Sequence, residues 1–280
     1  MKILVTGGSG YLGTHVRRFF SADDFSRRSG LNILNEGDGR KVADYDVVIH
    51  LAALLDKDPN AADESFRINA EGTANLLRNM EPGACFIYAS TKDVYGSHVN
   101  NYSEVPETCP TDFCGQSALE WSKLLGEKYV EYYAAARRLR ACIFRMSAVY
   151  ARATPGNENG FVTHYVESVK HRWPIRLPAG VDPARDILFV DDLSRACQSF
   201  IDSARYFGLY NLGGGRENVA SLREIIRMVG EMIEVTPVIE DDPSMPAPVS
   251  VKYVSDLTRI RQELRWEPQT EIKEGIRNLL

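Results

Sequence analysis

A glycine-rich turn near the amino terminus has the spacing of a phosphate-binding loop. The stretch GGSGYLG places Gly7, Gly10 and Gly13 between the apolar run KILVT and the helical pattern YLGTHVRRFF. Gly7 permits a tight turn, Gly10 lets the main chain approach a pyrophosphate, and Gly13 allows close packing of the helix. The helix N-terminus adds oriented N–H groups. In this context the motif predicts a dinucleotide site.

The residues that follow the second predicted strand bear on the choice of dinucleotide. A site that prefers NAD usually offers an acidic residue about 20 positions after the first glycine, where it binds the ribose 2′-hydroxyl. If the second strand ends near Phe25, Ser26 occupies that position and Arg27 and Arg28 follow it. Arginine binds phosphate in a bidentate manner. The sequence thus favours NADP over NAD, the alternative being two arginines on a solvated loop.

One lysine lies on an otherwise apolar helix face. In QSALEWSKLLGE, residues 116–127, Lys123 follows Leu119 by one helical turn, so that both side chains point the same way. No metal site is predicted, because the histidines form no ligand grouping and the five cysteines lack paired C-x-x-C spacing. The cysteines are interpreted as reduced thiols; for Cys109 and Cys114 a redox or metal-binding role is the alternative interpretation.

Strands and helices alternate through the first half of the chain. Apolar β-branched runs such as YDVVIHLAA and ACFIYAS are separated by helical patterns, which is typical of crossover units and a parallel sheet. We therefore expect an α/β fold, a Rossmann-type doubly wound parallel sheet with a small C-terminal substrate lobe. Residues 1–150 are predicted to form the dinucleotide-binding domain, with later segments returning to it. Residues 151–280 should form mainly the substrate-binding lobe.

Composition narrows the class of protein. The chain has 280 residues and a net charge of −5, without a basic stripe, so neither nucleic acid nor an anionic membrane is an expected partner. The amino terminus enters a strand at once, and no apolar run reaches the roughly 18 residues of a membrane span. We expect a cytoplasmic protein with reduced cysteines.

Several further motifs follow the glycine turn along the chain. Besides TGGSGYLG, they are HLAA (50–53), NAEGTANLL (69–77), ASTKDVYG (89–96), SKLLGE (122–127), RMSAVYA (145–151), RDILFVDDL (185–193), YNLGGG (210–215) and RWEPQTEIKEGI (265–276). In this order the motifs resemble those of the extended short-chain dehydrogenases/reductases, the NAD(P)-dependent epimerases, dehydratases and reductases that act mostly on nucleotide-activated sugars. The similarity covers nearly the whole chain. The stretch FSRRSGLNILN also resembles the dTDP-4-dehydrorhamnose reductases, which favour NADPH.

The resemblance implies a set of cofactor contacts. The pyrophosphate would be lined by Gly7, Gly10, Tyr11, Leu12 and Gly13. Leu51, Ala52 and Ala53 would lie beside the adenosine half. Asn69 matches the helix asparagine that the family places near its active site, with helix capping or packing as the alternative.

The resemblance also implies a reaction centre, and here the chain departs from the family. Thr91 matches the hydroxyl residue and Lys123 matches the lysine, but Leu119 occupies the position of the catalytic tyrosine. A leucine can neither donate nor accept a proton. Another group could do the proton transfer, namely Glu120, Tyr95, Tyr150, or Thr91 with a water. Alternatively the protein binds a dinucleotide without catalysis, or FCGQS (113–117) is the true counterpart, although SKLLGE fits the family pattern better.

The family pattern has further implications for reaction and substrate. Sugar 4,6-dehydratases place two acidic or polar residues after the threonine, where this chain has Lys92 and Asp93, so dehydration is disfavoured relative to epimerisation or reduction. Arg185 matches an arginine that grips the nucleotide-sugar pyrophosphate, an ion pair with a neighbouring aspartate being the alternative. The helices at 65–79 and 116–136 resemble those through which the family forms homodimers.

The expected function is that of an NAD(P)-dependent oxidoreductase or epimerase acting on a nucleotide-activated sugar. The alternative is a catalytically silent NAD(P)-binding sensor or scaffold of the same fold. The two hypotheses differ in whether any group replaces the missing phenol.

Overall fold

The computed structural model describes residues 1–157, 160–245 and 249–280. Within these ranges twelve strands alternate with ten α-helices. The strands are β1 (Ile3–Thr6), β2 (Asp23–Phe25), β3 (Val47–His50), β4 (Cys85–Thr91), β5 (Arg140–Met146), β6 (Ala148–Tyr150), β7 (Ile175–Pro178), β8 (Ala184–Phe189), β9 (Phe207–Leu212), β10 (Val219–Ser221), β11 (Ile239–Asp242) and β12 (Lys252–Tyr253).

The helices connect the strands of the first half and form much of the second. They are α1 (Tyr11–Phe20), α2 (Glu36–Gly39), α3 (Ala62–Phe66), α4 (Gly72–Asn79), α5 (Ala118–Arg137), α6 (Phe161–Lys170), α7 (Val190–Asp202), α8 (Leu222–Ile233), α9 (Thr258–Leu264) and α10 (Ile272–Arg277). In the described ranges no helix combines the length and the apolar character that a membrane span requires.

Six parallel strands form the central sheet in the order β2-β1-β3-β4-β5-β9. The chain leaves β1 in one direction to reach β2 and then crosses to β3 on the other side, so the strand order reverses at β1. The carboxyl ends of β1 and β3 flank this switch point, where open α/β sheets bind ligands. The predicted α/β fold with a Rossmann-type parallel sheet is confirmed.

Both faces of the sheet are covered, as the continuous apolar strands predict. Side chains alternate between two cores along each strand. On β1, Leu4 belongs to one core and Val5 to the other; on β4, Phe86 and Ile87 divide in the same way. The core that contains Val5 and Ile87 continues into residues of the second half such as Ile187.

The second half adds a smaller sheet and returns to the first. β8 pairs with β10, β12 and β6, while β7 and β11 form a separate parallel pair. β9 is the edge strand of the central sheet, next to β5. Residues beyond 150 thus complete the main sheet, whereas the division of binding roles at residue 150 stays a prediction.

Two long helices differ from their predicted bounds. The predicted helix over 65–79 is divided by a wide turn with π-type hydrogen bonding at Arg67–Glu71, between α3 and α4. The helix predicted over 116–136 begins at Ala118, because Ser117 caps it and Glu120 bonds back to the Ser117 main chain. A second capping box, formed by Ser221 and Glu224, begins α8.

Candidate active site

The glycine-rich turn has the shape that a pyrophosphate requires. Gly7 adopts a φ of +68°, and a Cβ there would lie 2.9 Å from the Ala52 nitrogen; a Cβ on Gly13 would lie 2.0 Å from the Gly7 oxygen. α1 begins with Gly10 as its N-cap, and no side chain caps it. The first N–H groups of α1 have no partner within the helix. The turn therefore fits a dinucleotide pyrophosphate.

The side chain of Tyr11 ties α1 to the second half of the chain. Its hydroxyl donates to the Ala151 oxygen at 2.7 Å, accepts from the Ala151 nitrogen at 2.7 Å, and lies 2.8 Å from the Thr163 hydroxyl. Burial raises the pKa of this hydroxyl, and the hydrogen bonds with the Thr163 side chain and the Ala151 main chain oppose that shift. Leu12 packs against the adjoining core. Tyr11 and Leu12 thus contribute their main-chain groups to the turn, while their side chains contact protein.

The segment after β3 lies against the glycine turn. The Leu51 nitrogen donates to the Thr6 oxygen at 3.1 Å, and the Ala52 nitrogen donates to the Thr6 hydroxyl at 3.2 Å. Leu51, Ala52 and Ala53 are half-buried at this edge. The residues predicted to flank the adenosine half are thereby brought beside Gly7.

Ser26 follows β2 directly, at the position where an acidic residue would select NAD. β2 ends at Phe25 as expected. The Ser26 hydroxyl lies 2.8 Å from that of Ser9 in the glycine turn and donates to Asp24 at 3.0 Å. Ser9 donates to the same Asp24 carboxylate, which Arg17 approaches to 3.7 Å. A carboxylate that the sequence-based interpretation did not include thus lies beside Ser26.

Arg28 holds the glycine turn and the second half together. Its guanidinium donates to the Ser9 oxygen at 3.2 Å, the Gly156 oxygen at 2.7 Å and the Asn157 side chain at 3.3 Å. These three partners are neutral, so the positive charge of Arg28 is not paired with an acid there. Arg27 is exposed on the adjoining short 3-10 turn.

Thr91 ends β4 and begins the next turn. Its hydroxyl accepts from the Asp93 nitrogen at 3.2 Å. Lys92 is buried, contacts the Asp93 carboxylate, and lies 4.9 Å from the centre of the Tyr253 ring. Burial lowers the pKa of Lys92, an effect that Asp93 opposes and Arg185 reinforces.

Lys123 and Leu119 are buried on one face of α5, as their spacing predicts. The Lys123 ammonium donates to the Ala89 oxygen at 2.7 Å and lies 5.1 Å from the centre of the Tyr88 ring. Burial lowers its pKa to about 8, although Glu127 opposes the shift. Leu119 is 6% exposed in the first turn. FCGQS lies in the loop before α5, which argues against the alternative alignment.

Two of the proposed substitutes for the phenol are engaged in the core. The Tyr95 hydroxyl donates to the Asn211 side chain at 2.7 Å, and Arg145 lies over its ring. Tyr150 packs edge-on against Phe189, and its hydroxyl lies against Gly275. Both side chains are fully buried, and burial raises the pKa of each. Neither is available to a sugar oxygen in this arrangement.

An ionic network that sequence reasoning missed joins Thr91's turn to the start of α5. The Lys57 ammonium lies 2.7 Å from one Glu120 oxygen and 3.2 Å from an Asp93 oxygen. The other Glu120 oxygen accepts from Ser117. Lys57 follows β3 by several residues, and no short motif marked it. Only the folding of β3, β4 and α5 to one edge brings these charges together.

The carboxylates of this network are held ionised. Burial raises the pKa of Asp93, but Lys92 and Lys57 outweigh burial, so the pKa of Asp93 lies well below its ordinary value. The pKa of Glu120 is likewise lowered, because hydrogen bonds from Lys57 and Ser117 outweigh its burial. For Lys57, burial lowers the pKa, yet Asp93 and Glu120 together raise it above its ordinary value.

Arg185 lies on the central strand of the smaller sheet, beside Tyr253 in register. The predicted alternative was an ion pair with a neighbouring aspartate. Asp186 instead accepts from the main chain at Gly215 and Ser255, and Asp192 pairs with Arg195. Within the described ranges Arg185 forms no ion pair. Its guanidinium is therefore available to an anion.

Asn69 is buried, and its amide is used within the protein. It accepts from the Leu54 nitrogen at 2.8 Å and donates to the Leu54 oxygen and the Ser122 hydroxyl, both at 2.9 Å. These contacts join the segment after β3 to α5. They favour the packing alternative, and a direct cofactor contact of Asn69 stays a prediction.

A buried ion pair supports the helix that carries Lys123. Arg145 of β5 donates to Glu127 of α5 at 2.7 Å, and the Ser90 hydroxyl donates to the same carboxylate at 2.5 Å. Glu127 is 0% exposed and Arg145 5%. No motif predicted this pair. The described residues contain no cluster of metal-binding side chains, and Cys109 and Cys114 are both free thiols there.

Comparison with known proteins agrees with this architecture. The sequence model of the NAD dependent epimerase/dehydratase family matches residues 3–213. CDP-paratose 2-epimerase of Salmonella typhi is 25% identical over 100% of this chain and 98% of its own length.

Two solved structures share the fold. UDP-glucuronic acid 4-epimerase from Bacillus cereus, in complex with UDP-glucuronic acid and NAD, has a TM-score of 0.84 at 21% identity, covering 99% of this chain and 97% of its own. RMD from Pseudomonas aeruginosa, complexed with NADPH, has a TM-score of 0.82 at 21% identity. The match covers 100% of this chain and 98% of the RMD chain. The family match spans most of the chain, from β1 to the end of β9, and the chain belongs to the NAD dependent epimerase/dehydratase family.

Proposed function

We propose that the protein is an NAD(P)-dependent oxidoreductase or epimerase that acts on a nucleotide-activated sugar, with Leu119 in place of the family's catalytic tyrosine. The observation that carries this proposal is the convergence at one edge of the sheet. The carboxyl ends of β1, β3 and β4 bring the glycine turn, Ala52 and Thr91 to the same side. Ligands bind at this edge in open α/β sheets.

The cofactor-binding residues follow from that edge. The amides of the glycine turn would hold the pyrophosphate, and Leu51, Ala52 and Ala53 would line the adenosine side. A bound nicotinamide dinucleotide would exchange a hydride with a sugar carbon. Lys123 has two further ammonium protons beside its bond to Ala89, and it would contact the nicotinamide ribose.

The substrate-binding residues lie on both sides of the site. Thr91 would hydrogen-bond the reacting sugar oxygen. Arg185 would bind the nucleotide diphosphate, since an arginine fork suits phosphate oxygens and Arg185 has no acidic partner in the described ranges. CDP-paratose 2-epimerase is named for a nucleotide sugar, and the Bacillus cereus epimerase binds UDP-glucuronic acid, which supports this substrate class.

A silent dinucleotide-binding sensor or scaffold is the second candidate, favoured by Leu119 alone. An assay separates the two. The purified protein is incubated with reduced or oxidised dinucleotides and a panel of nucleotide sugars, and both nicotinamide absorbance and sugar products are followed. We expect the unchanged protein to convert at least one nucleotide sugar. The Gly13→Ala variant should lose dinucleotide binding, because the added Cβ would collide with Gly7. Gly37→Ala, in the short helix α2, is the control. Binding without turnover on the whole panel would favour the sensor.

For the cofactor we propose NADP in preference to NAD. Among the described residues Arg28 has no acidic partner and lies beside Ser9, which supports a 2′-phosphate, and RMD, a neighbour in fold, is complexed with NADPH. Two observations favour NAD instead. The Asp24 carboxylate lies beside Ser26, where its negative charge would repel a 2′-phosphate, and the Bacillus cereus epimerase is in complex with NAD.

The Arg28→Gln variant tests the cofactor preference. It should weaken NADPH binding about ten- to a hundredfold while leaving NADH binding nearly unchanged, since a charge-assisted hydrogen bond contributes roughly 1.5–3 kcal/mol. Fluorescence titration with each dinucleotide measures this. An equal loss for both would mean that Arg28 acts through the loop contacts at Gly156 and Asn157.

A further inference from the structure

Lys57 joins the first turn of α5, which carries Leu119, to the turn that follows Thr91. Its ammonium bridges Glu120, the residue after Leu119, and Asp93, whose main-chain nitrogen donates to the Thr91 hydroxyl. It therefore links the turn that would carry the phenol to the residue that would bind the same sugar oxygen.

Lys57 is also the most accessible charge of this network. Its side chain is 57% exposed, whereas that of Glu120 is 3% and that of Lys92 is 10% exposed. Lys123 is buried and bonded to Ala89. Unlike the buried Glu120, Lys92 and Lys123, Lys57 can contact a ligand without a rearrangement of the core.

The charges around Lys57 keep it protonated. Its ammonium contacts two carboxylates, Asp93 and Glu120, whereas Lys92 contacts only Asp93. Burial lowers the pKa of Lys57, but the two carboxylates outweigh burial and raise it above its ordinary value. Asp93 and Glu120 are held ionised by their cations and are weak bases. Lys57 is thus a weaker acid than an ordinary lysine, but an alcohol is weaker still, so its ammonium can protonate the alkoxide that hydride addition leaves on a sugar oxygen.

We propose that Lys57 donates the proton to the sugar oxygen, and that the site reduces a keto group of a nucleotide-linked sugar. This inference rests on the proposed function. The carbonyl carbon accepts a hydride, with its electron pair, from a reduced nicotinamide, and the C=O π bond becomes a lone pair on oxygen. That oxygen takes a proton from Lys57 Nζ to give the alcohol. The neutral amine regains its proton from water, to which Lys57 is exposed.

The preferred direction of the reaction follows from the protonation state of Lys57 near neutral pH. Oxidation of a sugar alcohol, the first step of epimerisation through a keto intermediate, needs a base that is unprotonated at rest. Lys57 is protonated at rest. The enzyme should reduce keto sugars, and it should oxidise the corresponding alcohols far more slowly.

Variants at Lys57 test the proposal. The probes are UDP-4-keto-6-deoxyglucose and its dTDP analogue with NADPH or NADH, and the matching 6-deoxyhexose alcohols with the oxidised dinucleotides. Lys57→Met should lower kcat by about 10²–10⁴-fold, the usual contribution of general acid catalysis. Lys57→Arg keeps the charge but releases a proton poorly, so kcat should fall by about 10² or more with little change in KM. Lys41→Met, which removes an equally exposed lysine paired with Asp38, is the control.

Two measurements do not depend on turnover. Fluorescence titration should show dinucleotide affinity within about twofold of the unchanged protein in both Lys57 variants, and thermal unfolding should show that they remain folded.

Each outcome bears on one of the two proposals. A Lys57→Met or Lys57→Arg variant with the kcat of the unchanged protein would overturn the role of Lys57 as proton donor. Oxidation of the alcohols as fast as reduction of the keto sugars would overturn the direction. If the unchanged protein converts neither class of sugar, this inference fails; the proposed function fails as well only if the wider panel of nucleotide sugars is also not converted.

Discussion

Leu119 is an apolar residue at the position where the resemblance predicts the catalytic tyrosine, and the charges near the start of α5 suggest how a site could work without a phenol. Lys57, Asp93 and Glu120 come from three different segments and meet at the first turn of α5. Lys123, which we propose contacts the nicotinamide ribose, donates to a main-chain oxygen. At the scale of single residues, the question is whether the phenol would still be useful.

Restoring the phenol is the direct test of that question. With Lys57 as proton donor, Leu119→Tyr should give no gain in kcat, because the larger ring crowds a position that is 6% exposed. Leu119→Phe has the same bulk without a hydroxyl, and both variants should lose activity by a similar factor, about tenfold. Steady-state kinetics measures this. A gain confined to the tyrosine variant would indicate an eroded form of the family's machinery.

Lys123 should make stability depend on pH. Its pKa is about 8 in the folded protein and 10.5 ordinarily, so between these values the unfolded chain binds a proton that the folded chain does not. Stability therefore rises as the pH increases from 8 to 10.5, and the cost of burying the ammonium is fully present below 8.

The variant Lys123→Met should accordingly stabilise the fold by about 1–3 kcal/mol near neutral pH. Thermal and denaturant unfolding at neutral and alkaline pH measure the difference, which should shrink as the pH rises. Lys128→Met, on the exposed side of the same helix, should change little. A constant difference across the pH range would contradict the buried charge as its cause.

At the scale of elements, α5 is fixed to the sheet by charge as well as by packing. Glu127 accepts from Ser90 of β4 and from Arg145 of β5, one turn after Lys123. The pair holds the lysine-bearing face of α5 against the ends of both strands. A change here should thus affect the site without touching a ligand.

Breaking this pair should be costly. Glu127→Gln keeps the volume but leaves Arg145 as an uncompensated buried charge, which destabilises a protein by about 3–5 kcal/mol. Glu131→Gln removes the exposed partner of Lys128 and should cost less than about 1 kcal/mol. Urea unfolding of both variants gives the comparison. Equal losses would mean that burial does not decide the contribution of Glu127.

At the scale of the whole molecule, we propose the homodimer that the helices at 65–79 and 116–136 suggest. In the structure, Tyr132 on α5 is 65% exposed, and Phe66 on α3 is 37% exposed. α5 packs against α3 and α4, so these aromatic side chains lie on one helical layer. A second copy of the chain could cover them in a four-helix contact.

Tyr132→Glu should convert such a dimer to a monomer, because a charge at the centre of an apolar contact cannot be paired there. Sedimentation velocity measures the change. Trp173→Glu, at an exposed aromatic residue outside this layer, is the control and should leave the dimer intact. A monomer for the unchanged protein would contradict the proposed dimer itself.

Much of this protein was predictable from the chain alone. The strands, the glycine turn and the shared face of Leu119 and Lys123 depend on residues close in sequence, whose period and turn chemistry act locally. The parallel sheet followed because alternating strands and helices have few other ways to pack. The assignment of Leu119 to the tyrosine position came instead from the resemblance of SKLLGE to the family motif, and it stays a prediction.

Only the tertiary structure decided which charges meet. Lys57, Asp93 and Glu120 are separated by 36 and 27 positions, and no local pattern announces that β3, β4 and α5 bring them together. The same holds for Arg28 across Gly156, for the pair of Glu127 with Arg145, and for the burial of Tyr95 and Tyr150. Ion pairs and pKa shifts depend on distance and burial in space, so they emerge only when the chain has folded.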